Sequence, residues 1–218
     1  MAAPLVVRDA ASLREALRAR RALGPVGFVP TMGYLHDGHE QLMRRSRAAD
    51  GTVVVSIFVN PTQFGPTEDF ATYPRDFEAD MARCARAEVD ILFAPTPAVM
   101  YPAGASSVVR VGGVSEPLEG ERRPGHFQGV ATVVTSLFNL VQPDHAYFGE
   151  KDWQQLAVIR QMVHDLHVPV TIVGVPTVRE ADGVAQSSRN VRLSPESRVA
   201  ARAIPRAIAR VAQAYAAG

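Results

Sequence analysis

The chain has 218 residues, 47% of them apolar and 21% charged, with a net charge of +1, the proportions of one ordinary globular domain of good size, or one domain plus a fragment. A balance this near neutrality gives no reason to expect nucleic acid or an acidic membrane as partner; no apolar run approaches the length of a membrane span, and the N-terminus lacks a secretory leader pattern. A lone cysteine, Cys84, cannot form an internal disulfide, which points to a reducing compartment and a cytoplasmic location.

Apolar runs alternate with amphipathic segments along the chain. Ser12 to Arg21 reads as a first helix, with Ser12 as N-cap and Glu15 at capping-box spacing. A short buried strand follows at Gly27–Val29, Gly33 opens a turn, and a helix runs from His39 to Ala49. Thr52–Val59 is apolar almost throughout, as expected of a strand covered on both faces. The helix Arg75–Glu88 carries Cys84, which has no histidine or aspartate dyad beside it in sequence and reads as packing rather than as a nucleophile. Strands at Asp90–Ala94, Ala146–Phe148 and near Val170–Val173 alternate with helices at Val130–Val141 and Trp153–Leu166. This alternation predicts an α/β fold, a Rossmann-like parallel sheet with helices on both faces. A boundary is expected near Val178-Arg179. Beyond it, Ser194-Pro195-Glu196 starts a helix with serine as N-cap and proline at N1. Pro205 is expected to kink or end that helix, and Arg202, Arg206 and Arg210 mark the alanine-rich stretch as solvated.

The chemistry is concentrated where strands end. His36-Asp37-Gly38-His39 stands at a strand-to-helix junction, and a helix N-terminus presents unpaired N–H groups and partial positive charge to an anion. Two imidazoles three residues apart add donors, and Gly38 clears the approach for a nucleotide. The pattern predicts a polyphosphate site built without a Walker loop, since no G-x-x-x-x-G-K-[ST] occurs. Half of a zinc site is the competing reading. It would need further ligands, and His126, His145, His164 and His167 fall at unrelated spacings. Among 23 lysines and arginines, Lys151 is the one lysine. It follows an apolar strand and a glycine in Phe148-Gly149-Glu150-Lys151-Asp152-Trp153, the strand-to-loop position where parallel α/β sheets bind ligands. A compact ammonium and a planar guanidinium are not interchangeable at a phosphate.

Four segments, Pro30 to His39, Phe58-Val59-Asn60-Pro61-Thr62-Gln63-Phe64-Gly65, Phe148 to Gln155, and Ser187-Ser188-Arg189-Asn190, occur in this order. Leu118-Glu119-Gly120 and Arg123-Pro124-x-His126-Phe127 lie between them. The ordered set resembles the pantoate–β-alanine ligase family of the H-x-G-H nucleotidyltransferases, over about residues 5 to 210. The resemblance implies that ATP and pantoate form an enzyme-bound pantoyl adenylate with loss of pyrophosphate, and that β-alanine then attacks it to give pantothenate and AMP. It implies a homodimer, and a Mg²⁺ ion held mainly by the nucleotide's phosphates rather than by protein ligands.

By the same resemblance, His36 and His39 match histidines on the triphosphate, and Lys151 a lysine on the phosphates. Ser187, Ser188 and Arg189 match a loop over the β- and γ-phosphates. Gly149 and Asp152 match positions around the ribose, and Pro30, Thr31, Met32, Gly33, Gly38, Phe148, Val178 and Gln186 complete the ATP site. Gln63 and Gln155 match two glutamines that grip pantoate, with Met32, Phe58 and Asn60 forming the rest of that pocket. Amide side chains donate and accept at once, which suits a hydroxy acid. The resemblance also implies a nucleotide- and pantoate-binding domain at 1–178, with 179–218 opening a lid domain that in the family continues further. Trp153 stands where the family commonly has tyrosine, and Gln186 where it has methionine or leucine. Two other readings are a different H-x-G-H nucleotidyltransferase, which would want a basic pocket for a phosphorylated partner, and a nucleotide-binding module with little catalysis for want of the lid.

Overall fold

In the computed structural model, which describes residues 2–217, the apolar runs pair into a single sheet. In chain order the elements are β1 (Leu5–Val7), α1 (Ala10–Arg20), β2 (Val26–Thr31), α2 (Asp37–Arg47), β3 (Thr52–Ile57), α3 (Phe77–Arg86), β4 (Ile91–Phe93), α4 (Pro97–Met100), α5 (Glu119–Arg122), α6 (His126–Val141), β5 (His145–Gly149), α7 (Trp153–Asp165), β6 (Thr171–Val175), α8 (Pro195–Ala201) and α9 (Ala203–Ala216). The strands lie side by side as β1-β4-β3-β2-β5-β6 and every pairing is parallel. This is the Rossmann-like α/β architecture that the alternation predicts.

Alternate strand residues feed two cores, because successive side chains leave opposite faces of a sheet. Val26, Phe28, Val54, Ile91, Phe93 and Ala146 join Leu13 and Leu17 of α1, Val134 and Phe138 of α6, and Ile159 and Met162 of α7. Val29, Val53, Val55, Leu92 and Tyr147 join Leu42 and Met43 of α2 and Cys84 of α3. Gly27 faces this second layer. A Cβ there would sit 2.0 Å from both the Ser46 Oγ and an Asp50 carboxylate oxygen, so only glycine lets α2 lie this close. Asp50 is buried and accepts from Ser46 Oγ at 2.8 Å, Tyr147 OH at 2.8 Å and the His145 ring at 2.6 Å. These bonds satisfy a carboxylate that would otherwise be costly to enclose.

Several boundaries differ from the sequence reading. The first helix starts at Ala10, and its cap is Asp9 rather than Ser12: the Asp9 carboxylate accepts the Ala11 and Ser12 N–H groups at 3.0 and 2.9 Å. A carboxylate placed ahead of the first turn reaches these orphan donors, which leaves Ser12 inside the helix. β1 is a three-residue edge strand, too short for its period to show. The helix expected at Val130 begins four residues earlier at His126, after Gly125 turns the chain at φ +86°. Ser194 caps α8 as expected, accepting the Ser197 N–H at 3.1 Å. The helix then breaks at Arg202, leaving Pro205 in the first turn of α9, where its missing N–H costs little.

The strand order places the site. The chain winds from β2 through β3 to β4 in one direction and from β5 to β6 in the other, so the topological switch lies between β2 and β5. Ligands of such sheets bind beyond the strand C-termini at that switch. The two strands pair only at Gly27–His145 and Phe28–Ala146, whereas β2 pairs with β3 over six residues and β5 with β6 over five. The sheet therefore splits at its C-terminal edge, and the split opens a crevice.

Candidate active site

A cavity of about 230 Å³ occupies this crevice. It is lined by Pro30, Thr31 and Met32 from the end of β2, Phe148 and Gly149 from the end of β5, and Lys151, Asp152 and Gln155 just beyond. His36, Gly38 and His39 enter from the start of α2, Phe58, Asn60 and Gln63 from the loop after β3, and Val178 and Gln186 to Arg189 from the chain after β6. The one expected site residue outside this lining is Gly33. It makes the turn instead, at φ +81°, followed by Tyr34 at φ +51°. Asp80 of α3 pins that turn by accepting the Tyr34 and Leu35 N–H groups at 2.8 and 2.6 Å. Burial pushes the Asp80 carboxyl pKa up, while those two donors pull it down.

The two histidines cap their own helix. Nδ1 of His36 accepts the Gly38 N–H at 3.1 Å and Nδ1 of His39 accepts the His36 N–H at 3.3 Å, a reciprocal capping box. A neutral imidazole that accepts at Nδ1 carries its proton on Nε2. Burial, then the charges of His36, Lys151 and Arg83, press the His39 pKa down to about 3; burial, Lys151 and Arg83 lower that of His36. Both rings are thus neutral at pH 7, 4.1 Å apart between centroids, and each keeps an Nε2–H to donate. Gly38 has no room for a side chain, since a Cβ would lie 2.8 Å from the His36 ring.

The backbone end of α2 is less open than its sequence suggests. The Gly38 N–H also donates to Gln186 Oε1 at 2.8 Å, and the His39 and Glu40 N–H groups donate to the His36 carbonyl at 2.8 and 3.1 Å. The capping arrangement itself consumes these donors, so imidazole N–H groups replace them as the donors left for an anion. Gln186 reaches this helix end, its Nε2 donating to Asp37 at 3.0 Å.

Beyond β5, Lys151 lies in a single 3₁₀ turn close enough for its charge to act on both histidines, and its ammonium lies 2.9 Å from Asp152. Gln63 has its Oε1 occupied by the Asn60 amide at 3.0 Å, which leaves its Nε2 as the donor. Asn60 is in turn held by Tyr101 OH at 2.6 Å and the Gly129 carbonyl at 3.2 Å. The Ser187–Asn190 loop is strapped down over the crevice. Ser188 Oγ donates to the Tyr34 carbonyl at 3.0 Å, and Arg189 meets Asp69 with two bonds of 2.8 and 2.9 Å while its guanidinium lies 5.4 Å from the Tyr73 ring centre. Arg192 adds a third bond to Asp69 at 2.7 Å. The Arg189 hydrogen bonds, with charge from Arg189 and Arg192, hold the Asp69 carboxyl pKa at about 2.

Sequence reading missed the apolar wall. Val130, Val133, Val134 and Leu137 line the cavity together with Leu42, Tyr73, Tyr147 and Thr177. The spacing of the first four, i, i+3, i+4 and i+7, marks a helix face, but does not distinguish a pocket wall from core. Trp153 is 65% exposed and is not among the residues that line the cavity. Cys84 is buried with its thiol pushed up to about 12 by desolvation, unsuited to nucleophilic work.

The sequence profile of the family described as Pantoate-beta-alanine ligase matches residues 5–217. The pantothenate synthetase of Herpetosiphon aurantiacus is 58% identical over 207 residues, which cover 95% of this chain and 75% of the relative. That of Deinococcus radiodurans is 58% identical, with 94% and 74% covered. The crystal structure of the pantothenate synthetase from Thermus thermophilus superimposes with a TM-score of 0.90 at 58% identity, covering 93% of this chain and 72% of that one. A pantoate-beta-alanine ligase from Francisella tularensis, complexed with beta-gamma ATP and beta-alanine, gives a TM-score of 0.87 at 37% identity, with 94% and 78% covered.

Proposed function

The chain belongs to the pantoate–β-alanine ligase family, and from that premise we propose how its crevice performs the reaction. The enzyme condenses pantoate with β-alanine to pantothenate with consumption of ATP, through a pantoyl adenylate, releasing pyrophosphate and AMP. The observation that carries the site assignment is the presence of two donor sets in one crevice. Two neutral imidazole donors lie within the field of one ammonium, and the Asn60–Gln63 amide pair is anchored to α6, whose valines line the same cavity.

In this reading the triphosphate lies against the Nε2–H groups of His36 and His39 and the Lys151 ammonium. Ser187, Ser188 and Arg189 cover its β- and γ-phosphates, and Gly149 and Asp152 flank the ribose. Pantoate lies against Val130, Val133 and Val134, where its dimethyl carbon is desolvated, with Gln63 and Gln155 on its hydroxyls and carboxylate. A pantoate carboxylate oxygen attacks the α-phosphorus and pyrophosphate departs with the bridging oxygen's electron pair. The neutral amine of β-alanine then adds to the activated carbonyl, the carbonyl C–O bond to the phosphate breaks so that AMP leaves with its electron pair, and the proton on nitrogen passes to solvent. Neither step needs a covalent bond to the protein, so the residues act by holding reactants in line and by meeting charge as it moves to the leaving phosphates. Neutral imidazoles can do this at physiological pH without first losing a proton.

Among the described residues no three His, Cys, Asp or Glu side chains form a metal-binding group. His36, His39 and Lys151 offer N–H donors and a cation rather than oxygen ligands, which fits Mg²⁺ held mainly by the nucleotide's phosphates rather than in a protein cage. When bound there, Mg²⁺ would neutralise phosphate charge. We also take residues 1–178 as the nucleotide- and pantoate-binding domain and 179–218 as a lid-side segment, whose loop Gln186–Arg189 reaches the crevice while α8 and α9 contribute no buried residue. A homodimer and a cytoplasmic setting complete the proposed reading; among the described residues no helix is long and apolar enough to cross a membrane.

Pantoate-dependent exchange of pyrophosphate into ATP is expected, requiring Mg²⁺ but not β-alanine. Exchange that ignores pantoate, or that prefers a phosphorylated co-substrate, would overturn the assignment of the amide side chains.

A further inference from the structure

The Arg123-Pro124-x-His126 motif lies outside the cavity lining, yet both of its polar side chains converge on the carbonyl oxygen of one residue inside it. We propose that His126 and Arg123 are positioning residues for Gln63 and so help set the affinity for pantoate, an inference that rests on Gln63 gripping that substrate.

Gln63 ends a one-turn 3₁₀ helix, Pro61–Gln63, whose backbone is held by little of its own: the Phe64 N–H reaches the Pro61 carbonyl at a long 3.3 Å. The restraint comes from α6. His126, the first residue of that helix and 7% exposed, places Nδ1 2.8 Å from the Gln63 carbonyl oxygen. A carbonyl can only accept, so Nδ1 carries the proton and Nε2 must be an acceptor in the neutral ring. The Arg123 Nη1 meets that Nε2 at 3.1 Å and so selects the tautomer. Burial, the largest influence on the ring, lowers its pKa and keeps it neutral.

Arg123 is itself immobilised. It forms a bidentate pair with Glu68 at 2.7 and 2.6 Å and bonds Glu119 at 2.8 Å, and its Nη2 also reaches the Gln63 carbonyl at 3.4 Å. Gly129, one turn further along α6, lets the helix approach closely, since a Cβ there would lie 2.4 Å from the Thr62 carbonyl. The Gln63 backbone is thus fixed from α6 while Asn60 fixes its amide oxygen. The freedom that remains is small, and the donor Nε2 is aimed before any substrate arrives.

The test is saturation kinetics of pyrophosphate exchange in the full chain carrying His126→Ala, His126→Asn, Arg123→Gln or Gln63→Ala. His126→Ala is expected to raise the pantoate KM about tenfold, the scale of one lost hydrogen bond, with the KM for ATP within about twofold of wild type. His126→Asn, whose amide N–H can replace the Nδ1 donor, is expected to recover most of that loss, and Arg123→Gln to shift the pantoate KM in the same direction. An unchanged pantoate KM in His126→Ala, where Gln63→Ala raises it, overturns the inference. Parallel rises in both KM values, with a lowered Tm and no recovery in His126→Asn, overturn it in favour of a purely structural role. If Gln63→Ala leaves the pantoate KM unchanged, the assignment of Gln63 to pantoate fails first and the inference falls with it.

Discussion

Lys151→Arg is expected to lower kcat/KM for ATP on the order of 10²-fold or more, the scale of one transition-state charge contact, although the substitution preserves the charge. The ammonium sits one short turn beyond β5, 2.9 Å from Asp152, in a crevice of about 230 Å³. A guanidinium in that place is bulkier and flat, and Asp152 would engage it as a two-pronged pair, turning the charge away from the phosphates. The fold is expected to stay intact, because Lys151 is partly exposed and packs no core. Steady-state kinetics with varied ATP, beside a thermal melt, check this. A variant within a few-fold of wild type would remove the lysine from its role.

His39→Ala is expected to lower activity by a similar factor, and His39→Gln to recover part of it. The distinction follows from the ring's two tasks. Nδ1 caps the helix by accepting the His36 N–H at 3.3 Å, while Nε2–H is the donor that the proposed reading gives to the triphosphate. Alanine loses both; glutamine keeps an N–H at about the reach of Nε2. If both variants lose activity equally and melt early, His39 is a cap and no more. Acid stability supplies a second reading. His39 is neutral in the folded chain down to about pH 3, whereas an unfolded histidine takes up a proton near 6.5. Its contribution to stability is therefore full above pH 6.5 and is lost as pH falls toward 3. His39→Gln is expected to flatten that decline when urea midpoints are compared between about pH 7 and about pH 5.

Periodicity was enough to place most of this fold, and strand-end motifs picked out most of the polar residues that line the crevice. The run of β3, apolar but for Thr52 and Ser56, reads as a strand covered on both faces, and His36, Lys151 and Gln63 all follow strands whose C-termini meet at one edge of the sheet. What could not be read depends on contacts distant in sequence. β1 is too short to show a period, and Asp9 caps α1 through geometry that Ser12 imitates in spacing. The stripe Val130, Val133, Val134 and Leu137 looks like core because it obeys the same helical rule. Nothing near Arg189 in sequence announces Asp69, 120 residues away, and nothing near Gln186 announces that it would cover the Gly38 N–H. Glycine positions were legible as special, but not what each would clear: Gly38 makes room for the His36 ring that caps its helix, whereas Gly27 makes room for Ser46 and Asp50.

The strap formed by Arg189, Arg192 and Asp69 turns the rim of the crevice into a clock. Three charged hydrogen bonds of 2.7 to 2.9 Å at a partly exposed surface contribute little to global stability, but in the proposed reading a nucleotide leaving past Ser187–Asn190 would have to wait for them to part. Mobile ions weaken this kind of contact, since charges at a surface are screened over about 8 Å at physiological ionic strength. Nucleotide departure measured by stopped flow is thus expected to quicken as salt is raised. Asp69→Asn is expected to quicken it at low salt and to leave little further dependence on ionic strength; an equally slow, salt-insensitive release in both proteins would mean that another segment keeps the time.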